Sequence, residues 1–171
     1  ADIHATFVNN LTYSEQPFGP QIATSAFEIT TGSVGFDAPF GPTVIDVAAA
    51  LGLLSDQELA FYNSLPVFPD NDGVLNDKDD FVKNAFNSLT LDPLGLDRLG
   101  LDDNLEQADG LIDATLVSGG YVSSHTYGWT EFEIDPVTQE LRVITYGVDA
   151  YSAEEAAADP AAIAALSPVV V

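Results

Sequence analysis

The stretch TYGWTEFEIDPVTQELRVITYGV, residues 126–148, admits few folds. Phe132 and Ile134 alternate with Glu131 and Glu133, and after a break Leu141 and Val143 alternate with Arg142 and Ile144. A period of two is the signature of a strand with one face turned to each side of a sheet. Between the runs stands Asp-Pro-Val-Thr-Gln, in which Pro136 fixes a turn backbone and Asp135 can bond the peptides that follow it. The pattern predicts an antiparallel hairpin with Phe132, Ile134, Leu141 and Val143 on one buried face.

Upstream, residues 2–13 read as an extended segment anchored by Phe7, Leu11 and Tyr13, followed by the turn-rich EQPFGP. Residues 22–36 are β-rich, with Phe27 and Ile29 alternating against Glu28 and Thr30. TVIDVAAALGLL, residues 43–54, has a helical pattern, and Ser55 with Glu58 forms a capping box that starts the next helix through Leu59, Phe61 and Tyr62. An acidic loop over 66–80 leads into a short amphipathic helix over 81–89. LDPLGLDRLGLDDNL repeats Gly-Leu-Asp but is too short for a solenoid, so it predicts turns or short helices over a sheet. The tail, 152–168, favours helix interrupted near Pro160. Strands and helices mix without βαβ spacing. The fold class expected is α+β or an incomplete α/β layer sandwich, with a mixed sheet, a closing antiparallel hairpin, peripheral helices and an acidic helical insertion at about 43–112.

With 171 residues, 46% of them apolar, the chain can bury one core, as a single domain or as the C-terminal part of a larger one. Its 27 acidic and 4 basic residues give a net charge of −23. Such a surface repels phosphate backbones and anionic membranes, which excludes nucleic-acid binding, and it favours divalent cations. No run approaches the roughly 20 apolar residues of a membrane helix. There is no cysteine, hence no disulfide and no thiolate ligand. There is also no methionine, from which we expect a processed or excised part of a longer product.

Several residues carry candidate chemistry. Asp2 and His4 stand two apart, so on an extended segment both point the same way and could leave a strand end toward one metal. Carboxylate and imidazole suit iron, zinc, manganese or calcium alike. DNDGVLNDKDD gathers Asp70, Asp72, Asp77, Asp79 and Asp80 around Gly73, a supply of oxygens that suits calcium without matching an EF-hand. The plainer alternative is a solvated loop whose aspartates cap the helix beginning near Asp80. His125, among serines and aromatics, reads as hydrogen-bonded packing, as do Tyr127 and Trp129. No nucleophile elbow or phosphate loop is present. Arg98 and Arg142 lie in no phosphate-binding motif.

ADIHATFVNNLTY, FEITTGSVGFDAPFG and SSHTYGWTEFEIDPVTQELRVITYG, in this order, resemble the alkaline phosphatase D family of metallophosphoesterases. The resemblance spans nearly the whole chain and covers the C-terminal portion of such an enzyme. It implies an α/β/β/α layer sandwich with metals between two central sheets, and an extracellular or periplasmic location. It further implies that Asp2 and His4 match the family's late metal motif, with Ala1 where glycine is more usual. Most ligands would then come from an N-terminal portion of the same precursor, the substrate would be a phosphate ester, and this chain alone would be inactive. The competing expectation is a non-enzymatic, calcium-stabilised surface or assembly protein.

Overall fold

A computed structural model describes residues 3–17, 19–35, 38–68, 74–101 and 111–171. The chain is an α+β protein with two antiparallel three-stranded sheets. The first has the order β2-β1-β3, built from β1 (Thr6–Tyr13), β2 (Ile22–Thr30) and β3 (Val122–Ser123). The second has the order β4-β5-β6, from β4 (Thr126–Ile134), β5 (Leu141–Asp149) and β6 (Val169–Val170). No parallel pairing occurs among the described residues, where a mixed sheet was expected.

The helices α1 (Phe40–Ala50), α2 (Asp56–Ser64), α3 (Lys78–Phe86) and α4 (Asp92–Leu94) fall between β2 and β3. Helix α1 starts three residues before the sequence pattern, because Pro42 sits in the first turn, where a missing N–H costs nothing. Ser55 and Glu58 do form the capping box of α2. A π-helical turn over Asn87–Leu91 joins α3 to α4, and α4 closes on Gly95 in the left-handed conformation. In the tail, α5 (Ala153–Ala158) and α6 (Pro160–Ala164) break where Pro160 opens the second helix.

Two small cores result. Ile45, Tyr62, Phe81 and Val82 bury one another between α1, α2 and α3. Ala5, Phe7 and Val122 form the core of the first sheet, against Phe40 and Leu99. Helix α1 joins them, because Phe40 meets Phe7 edge to face at 5.6 Å while Ile45 points into the helical core.

The hairpin has the expected register, with Phe132 opposite Val143 and Ile134 opposite Leu141. Its face is not buried. Phe132 is 54% and Ile134 64% exposed, and Leu141 is exposed too. The alternation sets which side chains share a face, but what covers that face is a matter of neighbouring layers, and neither core reaches it. At the other end of β4, Tyr127 is buried and Trp129 stacks on Tyr146 at 5.2 Å.

Candidate functional site

The first turn of α1 is a junction. Phe40 N–H donates to His4 O at 3.1 Å, and Gly41 N–H donates to Ser124 O at 2.8 Å. These are among the peptide donors that a helix cannot satisfy internally. Nearby, Gly32 N–H donates to Thr6 Oγ1 at 3.0 Å, and Gly128 N–H donates to Ser33 O at 3.0 Å. The three segments ADIHAT, TTGS and SSHTYG, far apart in sequence, are thereby stitched to one another and to one helix end.

His4 stands ahead of β1 in a bend. Ala5 N–H turns back onto Ile3 O at 2.7 Å, so the backbone at His4 is a tight turn and not the extended segment expected from residue 2 onward. The half-buried ring places Nδ1 3.4 Å from Ala38 O. Asp2 lies outside the described residues. Among the described residues no group of three or more carboxylates and imidazoles converges as a metal set.

His125 is the centre of a buried network. Its Nδ1 lies 2.7 Å from Asp79 Oδ1, and its Nε2 lies 2.8 Å from the Tyr62 hydroxyl. Asp79 Oδ1 also accepts from Ser124 N at 2.7 Å and Ser124 Oγ at 2.6 Å. The four residues join α2, α3 and the β3–β4 connection, and all are buried. A carboxylate that accepts Nδ1–H fixes the tautomer and leaves Nε2 to take the tyrosine proton. Serine, histidine and aspartate are thus assembled, yet not as a nucleophilic triad. Ser124 Oγ bonds the carboxylate, while the basic nitrogen faces Tyr62. Burial, with help from the charge on Asp79, pushes the Tyr62 phenol up to about 12, so it stays a neutral donor. The network is a rigid clamp, and His125 is the hydrogen-bonded core residue that its surroundings suggested.

Of the plainer reading of the acidic segment the capping half holds, since an aspartate caps the helix near Asp80, but the described aspartates there are not solvated. Asp70 and Asp72 lie outside the described residues. Asp77, Asp79 and Asp80 are all buried. Asp77 is the N-cap of α3 and accepts from the N–H groups of Asp79 and Asp80 at 2.8 and 3.0 Å. Asp80 reaches back to the Asn76 peptide. Asp77 Oδ2 and Asp80 Oδ2 are buried with no donor. Burial first, then the charge of Asp77, pushes the Asp80 carboxyl up to about 7, and burial raises Asp77 as well. One proton held between the two carboxyls would supply the donor that both outer oxygens lack.

Arg98 is engaged by Asp92 through two bonds, Nε–Oδ1 at 2.7 Å and Nη2–Oδ2 at 2.8 Å. Arg142 is exposed on β5, across from Glu133. The clamp was not legible residue by residue, since Asp79 and His125 are 46 positions apart and neither belongs to a spaced motif. No family model, curated protein or solved structure matches this chain.

Proposed function

We propose that the chain is the C-terminal part of a metal-dependent phosphoric ester hydrolase of the alkaline phosphatase D kind, acting in an extracellular or periplasmic space. In this reading the two small sheets are parts of a larger layer sandwich that upstream polypeptide completes. The observation that carries it is the convergence at α1. The three segments on which the resemblance rests meet through the bonds Phe40–His4, Gly41–Ser124, Gly32–Thr6 and Gly128–Ser33. His4 and Asp2 would hold metal, and calcium, iron, zinc or manganese would each accept such donors. Bound metal would polarise the phosphoryl group and activate water. This chain's part is to fix the His4 backbone on α1, whose position the Asp79–His125 clamp sets from behind.

The test is expression of the gene's complete coding sequence beside the 171-residue chain. The longer product should hydrolyse p-nitrophenyl phosphate or its diester, and His4→Ala should lower both activity and metal content by about 10–100-fold or more. Full activity in His4→Ala, or a gene encoding no ligand-bearing sequence upstream, would refute the reading.

A non-enzymatic, calcium-stabilised protein is the second reading, favoured by the two donorless oxygens on Asp77 and Asp80. Calcium would then compete with the shared proton for the same oxygens. A melting temperature indifferent to chelation at pH 8 would exclude it.

A further inference from the structure

Strand β4 is an edge strand. It has β5 on one side and, among the described residues, no strand on the other. Asp135 N–H bonds Glu140 O on the β5 side, whereas Gly128 N–H points away from β5 to Ser33. Since peptide groups alternate along a strand, those of Thr130, Phe132 and Ile134 also point outward. This edge carries no lysine, proline or bulge along Thr126–Ile134, and its charges are those of Glu131 and Glu133.

Its two faces differ. Phe132 and Ile134, with Leu141 and Val143 across from them, make an apolar face that stands open. On the other face the β4 edge itself carries exposed Glu131 and Glu133, with Ile144 and Arg142 across from them on β5. A strand laid along this edge would match it with apolar residues on the first face and basic residues on the second. A second copy cannot supply that strand. The chain has 4 basic residues, with Lys78 and Lys83 on α3, Arg98 held by Asp92 and Arg142 already within β5. Antiparallel pairing of two β4 strands would also bring Glu131 and Glu133 of both copies side by side, where like charges repel.

We infer that the open edge of β4 is completed by an extended strand of alternating apolar and basic residues, supplied by the upstream part of the same polypeptide. The source of the strand rests on the reading of this chain as the C-terminal part of a larger enzyme. Its chemistry rests on β4 alone. Main-chain bonds to the outward peptides would provide affinity, and the two faces would provide register.

Amide hydrogen exchange tests this on the isolated chain and on the product of the complete coding sequence, with phosphatase activity measured on the same samples. Thr130, Phe132 and Ile134 should exchange freely in the isolated chain and about 100-fold more slowly or better in the longer product. Phe132→Pro removes an outward donor while leaving the β5 ladder whole, and it should erase the protection at its neighbours. The double variant E131K/E133K keeps the backbone and should weaken protection through charge alone. Fast exchange in an active longer product would overturn the inference and leave the phosphatase reading standing. Protection without activity would support the strand and retire the phosphatase. Protection already present in the isolated chain and rising with its concentration would mean a second copy, and would overturn the inference.

Discussion

Gly41 shows how little freedom single residues have at the α1 junction. A Cβ there would lie 2.5 Å from His125 Cε1 and 2.7 Å from both His125 Nε2 and Ser124 Oγ. The contacts are with the clamp itself, whose rings and hydroxyl are fixed by hydrogen bonds and cannot swing aside. Gly41→Ala should therefore destabilise by about 1–3 kcal/mol, the usual cost of overpacking, read as a lower urea midpoint. Asp79→Ala should cost about 1–3 kcal/mol for each donor of Ser124 and His125 that it strands in the interior. Asp80 sets a pH dependence. Its carboxyl is raised in the folded chain to about 7, above its unfolded value, so the native state holds the proton more tightly. The stabilising contribution is complete below the unfolded value near 4 and is lost as pH rises through about 7. Asp80→Asn should flatten that part of the stability–pH curve, measured by urea denaturation at pH 4 to 8. An unaltered slope would assign the dependence to other groups.

Among the elements, what was local in the sequence was legible. Ser55 and Glu58 cap α2 because the bonds they make lie within one turn. The 132–143 and 134–141 pairs follow from alternation and the turn over 135–140. Covering layers are not local, so the same alternation could not tell an exposed apolar face from a buried one. Nor could it show that Asp77 and Asp80 leave solvent, since their burial comes from the packing of α3 on α1 and β3. Of the candidate site, the sequence singled out His4 as a candidate ligand, while the clamp behind it depends on a chain path that brings residue 79 to residue 125. The contrast predicts two outcomes for one substitution type. Phe81, 7% exposed between Tyr62 and Phe61, should cost about 3–5 kcal/mol on truncation to alanine. Phe132→Ala in the isolated chain should shift stability by only about 0.5 kcal/mol. Equal losses at the two positions would mean that the hairpin face is covered in solution.

At the scale of the whole molecule, charge is the dominant fact, since 27 acidic residues face 4 basic ones. Three of the basic residues are already committed nearby, Arg98 to Asp92, Lys78 over the Tyr62 ring at 5.1 Å and Lys83 over the Tyr121 ring at 5.7 Å. Most of the net charge of −23 therefore acts as self-repulsion, which weakens the compact state. Screening should relieve it. Between 0.01 M and 1 M salt the Debye length falls from about 30 Å to about 3 Å, so the melting temperature should climb steadily with sodium chloride. This general effect depends on ionic strength alone and is equal for calcium and magnesium at equal concentration. A specific site is not so indifferent, because calcium accepts flexible oxygen cages while magnesium demands a strict octahedron and sheds water reluctantly. Comparison of the two ions at matched ionic strength separates the terms. Near pH 8, where Asp80 has lost its proton, calcium should raise the melting temperature beyond magnesium if Asp77 and Asp80 bind it, and the surplus should vanish in Asp80→Asn. Coincident curves for the two ions would assign the whole effect to screening and leave the shared proton as the sole occupant between these carboxyls.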